Sequence, residues 1–149
     1  MKITDAFLAD HQALYAKFDQ LEKTIPSEVK TLAEVRIPGA ELAAILAEHA
    51  KFEDDLLFAA IEEKMGSDES TKKVRDEHAR IEILMQDVLG YLDDIKRMGH
   101  ARRTLLQAIK VARAHFNREE KETFPLAEEI LGEEKLLELG ALWEEMRKK

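Results

Sequence analysis

Two stretches of the chain carry a histidine and a glutamate four residues apart. Residues 49–66 read HAKFEDDLLFAAIEEKMG and residues 115–132 read HFNREEKETFPLAEEILG, so His49 matches His115, Glu53 matches Glu119, Phe58 matches Phe124 and Gly66 matches Gly132. On a helix, residues i and i+4 share one face a turn apart, so each stretch offers an imidazole and a carboxylate to the same neighbour. That spacing suits metal ligation. Each stretch also has an upstream companion: Asp10-His11 precedes His49 by 38 residues, and Glu77-His78 precedes His115 by 37. The chain therefore reads as one helical hairpin used twice around a shared site.

His11, His49, His78 and His115 with Glu53 and Glu119 make six candidate ligands. Six exceed what one tetrahedral zinc takes. They suit a pair of ions bridged by Glu53 and Glu119, with His11 and His49 on one ion and His78 and His115 on the other. Imidazole with carboxylate favours iron, although other divalent metals such as zinc or manganese accept the same donors. Two nitrogens and two bridging oxygens per ion leave room for solvent or a small ligand. The competing reading is a set of core histidines satisfied by two acids. Against it, four of the five histidines fall on the apolar seams of four different helices, and the fifth, His100, stands at a helix start as a surface residue. Two converging buried carboxylates would also repel, and each costs on the order of several kcal/mol without a counter-charge. Glu82, one turn after His78, is open to three readings: metal ligand, partner of a ligand, or solvated acid. Its pseudo-symmetric counterpart, Tyr15, is placed to donate a hydrogen bond near the site or simply to pack.

The elements that must position these residues follow from apolar periodicity. Thr4 is expected to cap a first helix with a stripe of Phe7, His11, Leu14, Phe18, Leu21 and Ile25, ended by Pro26 and Ser27. A connection with one short helical turn around residues 29–35 leads to a second helix, with Pro38 in its first turn and a stripe of Leu42, Ile45, His49, Phe52 or Glu53, Leu56 and Ala60, on which His49 and Glu53 face inward. Gly66 closes it. Ser67 or Ser70 should start a third helix with Val74, His78, Ile81, Met85, Val88, Leu92 and Ile95 on its seam, broken by Gly99. The fourth carries Ala101, Leu105, Ala108, Ala112, His115 and Glu119 until Pro125 kinks or ends it. A short additional C-terminal helix, about 133–148, presents Leu136, Leu139, Trp143 and Met146 on one side and carries no chemistry of its own. The expectation is an all-α, up-down-up-down four-helix bundle over about residues 4–131, within a single domain spanning 1–149. Counting back from the Gly66 turn puts Glu53 roughly 18 Å and His78 roughly 15 Å from the same bundle end, so the ligands share a level.

Composition agrees. The 149 residues are 45% hydrophobic and 36% charged, with three prolines and six glycines, which suits an ordered helical protein. The absence of cysteine excludes disulfides, thiolate metal sites and a cysteine nucleophile, so any metal is held by nitrogen and oxygen. A net charge of −8 opposes nucleic acid as a partner. Lys96, Arg97, Arg102, Arg103, Lys110 and Arg113 form a local basic concentration, read as a solvated helix face. The N-terminus reaches Asp5 too soon for a signal peptide, and no apolar run approaches membrane-spanning length, so a cytoplasmic protein without membrane partners is expected. Glycine-rich phosphate loops, G-x-S-x-G, H-E-x-x-H and calcium-loop patterns are all missing.

A lone histidine, His-x-x-x-Glu, a second lone histidine, then His-x-x-x-Glu followed by Phe-Pro: this order, over about residues 5–131, resembles the hemerythrin family, specifically its bacterial HHE cation-binding branch. The resemblance implies a non-haem di-iron centre bridged by Glu53 and Glu119, with oxygen as the usual ligand. The chain departs from the oxygen-carrying hemerythrins twice. It has Glu82 where their third helix has a second histidine, and Glu119 at i+4 where their fourth helix has an aspartate at i+5. Both departures weigh against reversible oxygen carriage. The reading is a metal- and oxygen-binding protein acting in oxygen or redox sensing, iron handling or oxidative-stress protection, rather than a dedicated enzyme. Two rivals stand beside it. One is a di-iron oxidase or peroxidase, which in the ferritin-like bundles uses Glu-x-x-His pairs that this chain lacks. The other is a metal-free helical interaction module.

Overall fold

The apolar stripes fold into helices throughout. The computed structural model describes residues 1–31, 33–91 and 94–149, and no strand occurs among them. The bundle is built from α1 (Ile3–Thr24), α2 (Ala33–Phe52) continuing into α3 (Ala59–Met65), α4 (Lys72–Gly90), and α5 (Met98–Arg118) continuing into α6 (Phe124–Arg147). A π-helical turn joins the halves of each long rod: Glu53–Phe58 in one, Glu119–Thr123 in the other. A 3₁₀ turn, Ile95–Arg97, precedes α5. α4 packs on α2 and α5, while α1 packs on α5 and α6.

The four histidines divide the core into two apolar blocks. On one side lie Leu14, Phe18 and Leu21 with Leu42, Leu46, Ile81, Met85, Leu105 and Phe116. On the other lie Ile3, Phe7, Leu57, Phe58, Ile61, Val74, Phe124 and Trp143. Each helix is thus apolar above and below its ligand, and burial of those flanks fixes the height and rotation at which the polar side chain enters the core.

Several expected boundaries move. Thr4 is not a cap; it is buried in the first turn of α1 and donates from Oγ1 to Glu128 Oε1 at 2.5 Å. α2 starts at Ala33, so Pro38 lies in its second turn, and no separate helical turn precedes it among the described residues. Glu34 holds that start by accepting the backbone N–H groups of Lys30 and Thr31. Ile45 is exposed and Leu46 takes the inward position. α4 begins at Lys72, after buried Thr71, rather than at either serine, because Thr71 Oγ1 is drawn to the Glu62 carboxylate of the preceding helix. It ends at Gly90, so Gly99 lies inside α5 and Ile95 is exposed on the connection; the expected seam position Leu92 lies outside the described residues.

Pro125 does not end the fourth rod. The π turn just before it already directs the Phe124 N–H to the Glu119 carbonyl, five residues back, and the proline opens α6, where its missing N–H costs little. The rod bends instead at Gly132, whose φ of 80° and ψ of 161° few other residues adopt. Beyond it, Leu136, Leu139 and Trp143 are buried and Met146 partly so, as the C-terminal stripe implied. This arm closes over the start of α1, where a Cβ placed on Gly140 would stand 1.9 Å from the Met1 carbonyl oxygen.

Replacing Gly140 with alanine should therefore force the arm off the N-terminus and destabilise the fold by about 1–3 kcal/mol. Gly90→Ala, with open space around it, should leave stability unchanged or slightly raised. Thermal unfolding followed by circular dichroism distinguishes the two, since a protein of this size loses about 2–4 °C per kcal/mol.

Candidate metal centre

Each histidine enters the core from a different rod, and all four are buried together with both glutamates. Their inner Nε2 atoms converge. His11 and His49 face each other at 3.1 Å between Nε2 atoms, and the His78 and His115 rings lie 4.5 Å apart, giving two imidazole pairs. Glu53 lies between them, with Oε1 at 3.0 Å from His78 Nε2 and 3.3 Å from His49 Nε2. Glu119 does the same from the opposite rod, 3.1 Å from His115 Nε2 and 3.4 Å from His11 Nε2. Two groups result, His11, His49, Glu53 and Glu119, and Glu53, His78, His115 and Glu119, each with donor atoms within 4.8 Å of one another. Both glutamates belong to both groups.

The π turns begin at these glutamates. A π turn adds a residue to a helical turn, and it recurs at the same place in both halves although only one is followed by proline. The cause therefore lies in the site. With the wider turn starting at Glu53, its carboxylate enters the core while the next residue, Asp54, reaches sideways to a neighbouring helix.

That sideways reach shows a second set of residues. The outer Nδ1 of every site histidine meets a carboxylate from another rod: His11 meets Glu120 at 3.0 Å, His49 meets Asp10 at 3.3 Å, His78 meets Asp54 at 2.9 Å and His115 meets Glu77 at 3.0 Å. Each acid is adjacent in sequence to a residue of the inner six. Such a carboxylate fixes the ring and favours the tautomer whose Nε2 lone pair points inward. Arg75 braces Asp54 and Arg118 braces Glu77, whereas Glu120 receives the Tyr15 hydroxyl at 2.8 Å. Tyr15 thus meets the centre through Glu120, with its hydroxyl pKa raised by burial and by that carboxylate. The acid-histidine dipeptides at positions 10–11 and 77–78 were visible in the sequence; the histidine each acid would meet was not.

Glu82 is not part of the convergence. It is exposed on α4, accepts from the Gln86 amide at 3.3 Å and stands at the rim of a cavity leading to the histidines. The Tyr15 and Glu82 positions therefore differ in role despite their symmetry. His100 is exposed, edge-on to Tyr91 at 4.5 Å. Within the basic concentration, Arg102 donates to the Pro26 carbonyl and Arg113 pairs with Asp19 and Glu22, as a solvated, internally paired face would.

Electrostatically the centre is two carboxyl groups among imidazoles, one held in its charged form and the other pushed toward its neutral one. Burial opposes a charged His49, but Glu53 and Asp10 outweigh it and raise its pKa to about 9. His78 is likewise raised to about 9 by Asp54 and Glu53 against burial. His115 falls to about 4 through burial and repulsion from His78. Glu53 is held well below the usual carboxylate range, its burial outweighed by the surrounding imidazoles, whereas burial and the charge of Glu53 push Glu119 well above it. Glu53 Oε2, both oxygens of Glu119 and His115 Nε2 are buried without a hydrogen-bond partner. Such converging orphaned lone pairs are costly in an apolar core, and cations remove that cost. The donor set thus fits metal ions.

The fold and site define a helical bundle with an internal His/Glu centre able to bind cations. The profile of the hemerythrin HHE cation binding domain matches residues 2–148, and the chain belongs to that family. No curated protein and no solved structure matches it.

Asp54→Asn or Glu77→Gln should weaken cation binding by about 10–100-fold, because the histidine behind each loses its orienting partner. Exposed Glu145→Gln, on the C-terminal arm, should have no effect. Competition against a chromophoric chelator measures all three.

Proposed function

We propose that this protein holds two iron ions, His11 and His49 binding one, His78 and His115 the other, and Glu53 and Glu119 bridging both. The observation that carries the reading is the pair of four-residue groups sharing both glutamates, with their lone pairs unsatisfied and converging. A di-iron centre, when bound, supplies oxygen binding and electron exchange. The chain's own residues orient the imidazoles through Glu120, Asp10, Asp54 and Glu77. They also exclude bulk water with Phe7, Phe58, Phe116 and Phe124; Phe116 stacks on His11 at 4.0 Å and Phe58 on His78 at 5.4 Å. The reading makes this a protein that binds or reacts with oxygen or a comparable small ligand, in oxygen or redox sensing, iron handling or protection against reactive oxygen species. A metal-free interaction module is disfavoured by the same orphaned atoms, which an apolar core without cations would select against.

Anaerobic loading with ferrous iron followed by elemental analysis should approach two equivalents per chain. Saturation at one equivalent, unaltered by His78→Ala or His115→Ala, would contradict the dinuclear assignment. The bridging role is tested separately: Glu53→Ala takes a donor from both ions and should lose more metal than His11→Ala, and equal losses would overturn it.

A further inference from the structure

The cavity beside the centre is larger and more apolar than a diatomic ligand requires. It occupies about 500 Å³ between α2 and α4 and ends on His49, His78 and His115. Small-molecule sites span roughly 300–1,000 Å³, whereas a water takes about 30 Å³. The walls are apolar: Ala43, Leu46 and Ala47 of α2, Ile81 and Met85 of α4, and Phe116 of α5. Alanines at 43, 47 and 50 recur on one face of α2, and their short side chains leave the space open.

At the mouth the charged lining is acidic, while the floor carries the His49 and His78 imidazoles. Asp54, Asp55 and Glu82 face a single ammonium, Lys51, which is paired with Asp55 at 2.8 Å. Asp54 is held by His78 and Arg75, and Glu82 receives only the neutral amide of Gln86 among the hydrogen bonds of the described residues. With an overall charge of −8, the approach repels anions.

We infer that this cavity is a binding site for an uncharged organic molecule with an apolar body and one oxygen-bearing head, seated with the head toward the three histidines. The apolar walls take the body, and the acidic rim rejects anionic analogues of the same size. The inference rests on the proposed metal centre for what the head meets, but not for the affinity of the body.

Benzyl alcohol and benzenesulfonate, matched in ring and opposite in charge state, are suitable probes in equilibrium dialysis against the purified protein, with metal content measured on the same samples. Benzyl alcohol should bind at one equivalent and at least about tenfold more tightly than benzenesulfonate. Ala47→Phe, at an exposed position that tolerates bulk, should cut benzyl alcohol binding at least about tenfold by filling the space. Glu82→Gln should narrow the gap between the probes. Undiminished benzyl alcohol binding in Ala47→Phe, or benzenesulfonate held as tightly as the alcohol, overturns the proposal. Retained probe selectivity in protein that takes up no iron would instead refute the metal centre and leave the cavity assignment standing.

Discussion

Two carboxylates buried side by side are the constraint around which the rest of this bundle is arranged. Glu53 and Glu119 have no exposure to solvent, and each raises the energetic cost of ionising the other. The four histidines around them are the chain's means of holding that charge, and each imidazole is in turn fixed from behind by a further carboxylate. Carboxyl groups and imidazoles therefore alternate in shells from the centre outward until Arg75, Arg118 and Tyr15 end the pattern near the surface. Such a layer is stable only if every member is satisfied, and the atoms without partners are those a cation would take.

The apolar blocks on either side of this layer give it its rigidity. Helix packing above and below each histidine leaves little freedom to rotate, and the stacking of Phe116 on His11 and Phe58 on His78 restricts the rings further. The π turns are part of the same solution. They let consecutive residues, Glu53 and Asp54 or Glu119 and Glu120, address different targets, which a regular α-helical turn separates less effectively.

The two halves are alike in the inner shell and unlike outside it. Tyr15 and Glu82 occupy equivalent positions, yet one closes its side of the centre by bonding Glu120 and the other stands at an open mouth. The pseudo-symmetry therefore yields two flanks of different character, and the larger cavity opens on the Glu82 side.

The sequence alone determined the all-helical hairpin repeat and the inner six residues, because both depend on local spacing. An i, i+4 pair shares a face in any helix, and a histidine within an apolar stripe must enter whatever core that stripe covers. The closing glycine at position 66 was legible for the same reason: its positive φ is a local requirement. Tertiary structure decided the rest. Asp54 could meet any imidazole within reach, and only the packing of α4 beside the rod bearing it selects His78. The helix starts at Ala33 and Lys72 depend on Glu34 and Glu62 reaching neighbouring groups rather than on propensity. The cavity is likewise a property of two helices together, since alanines on α2 make a space only against the side chains that α4 sets opposite them.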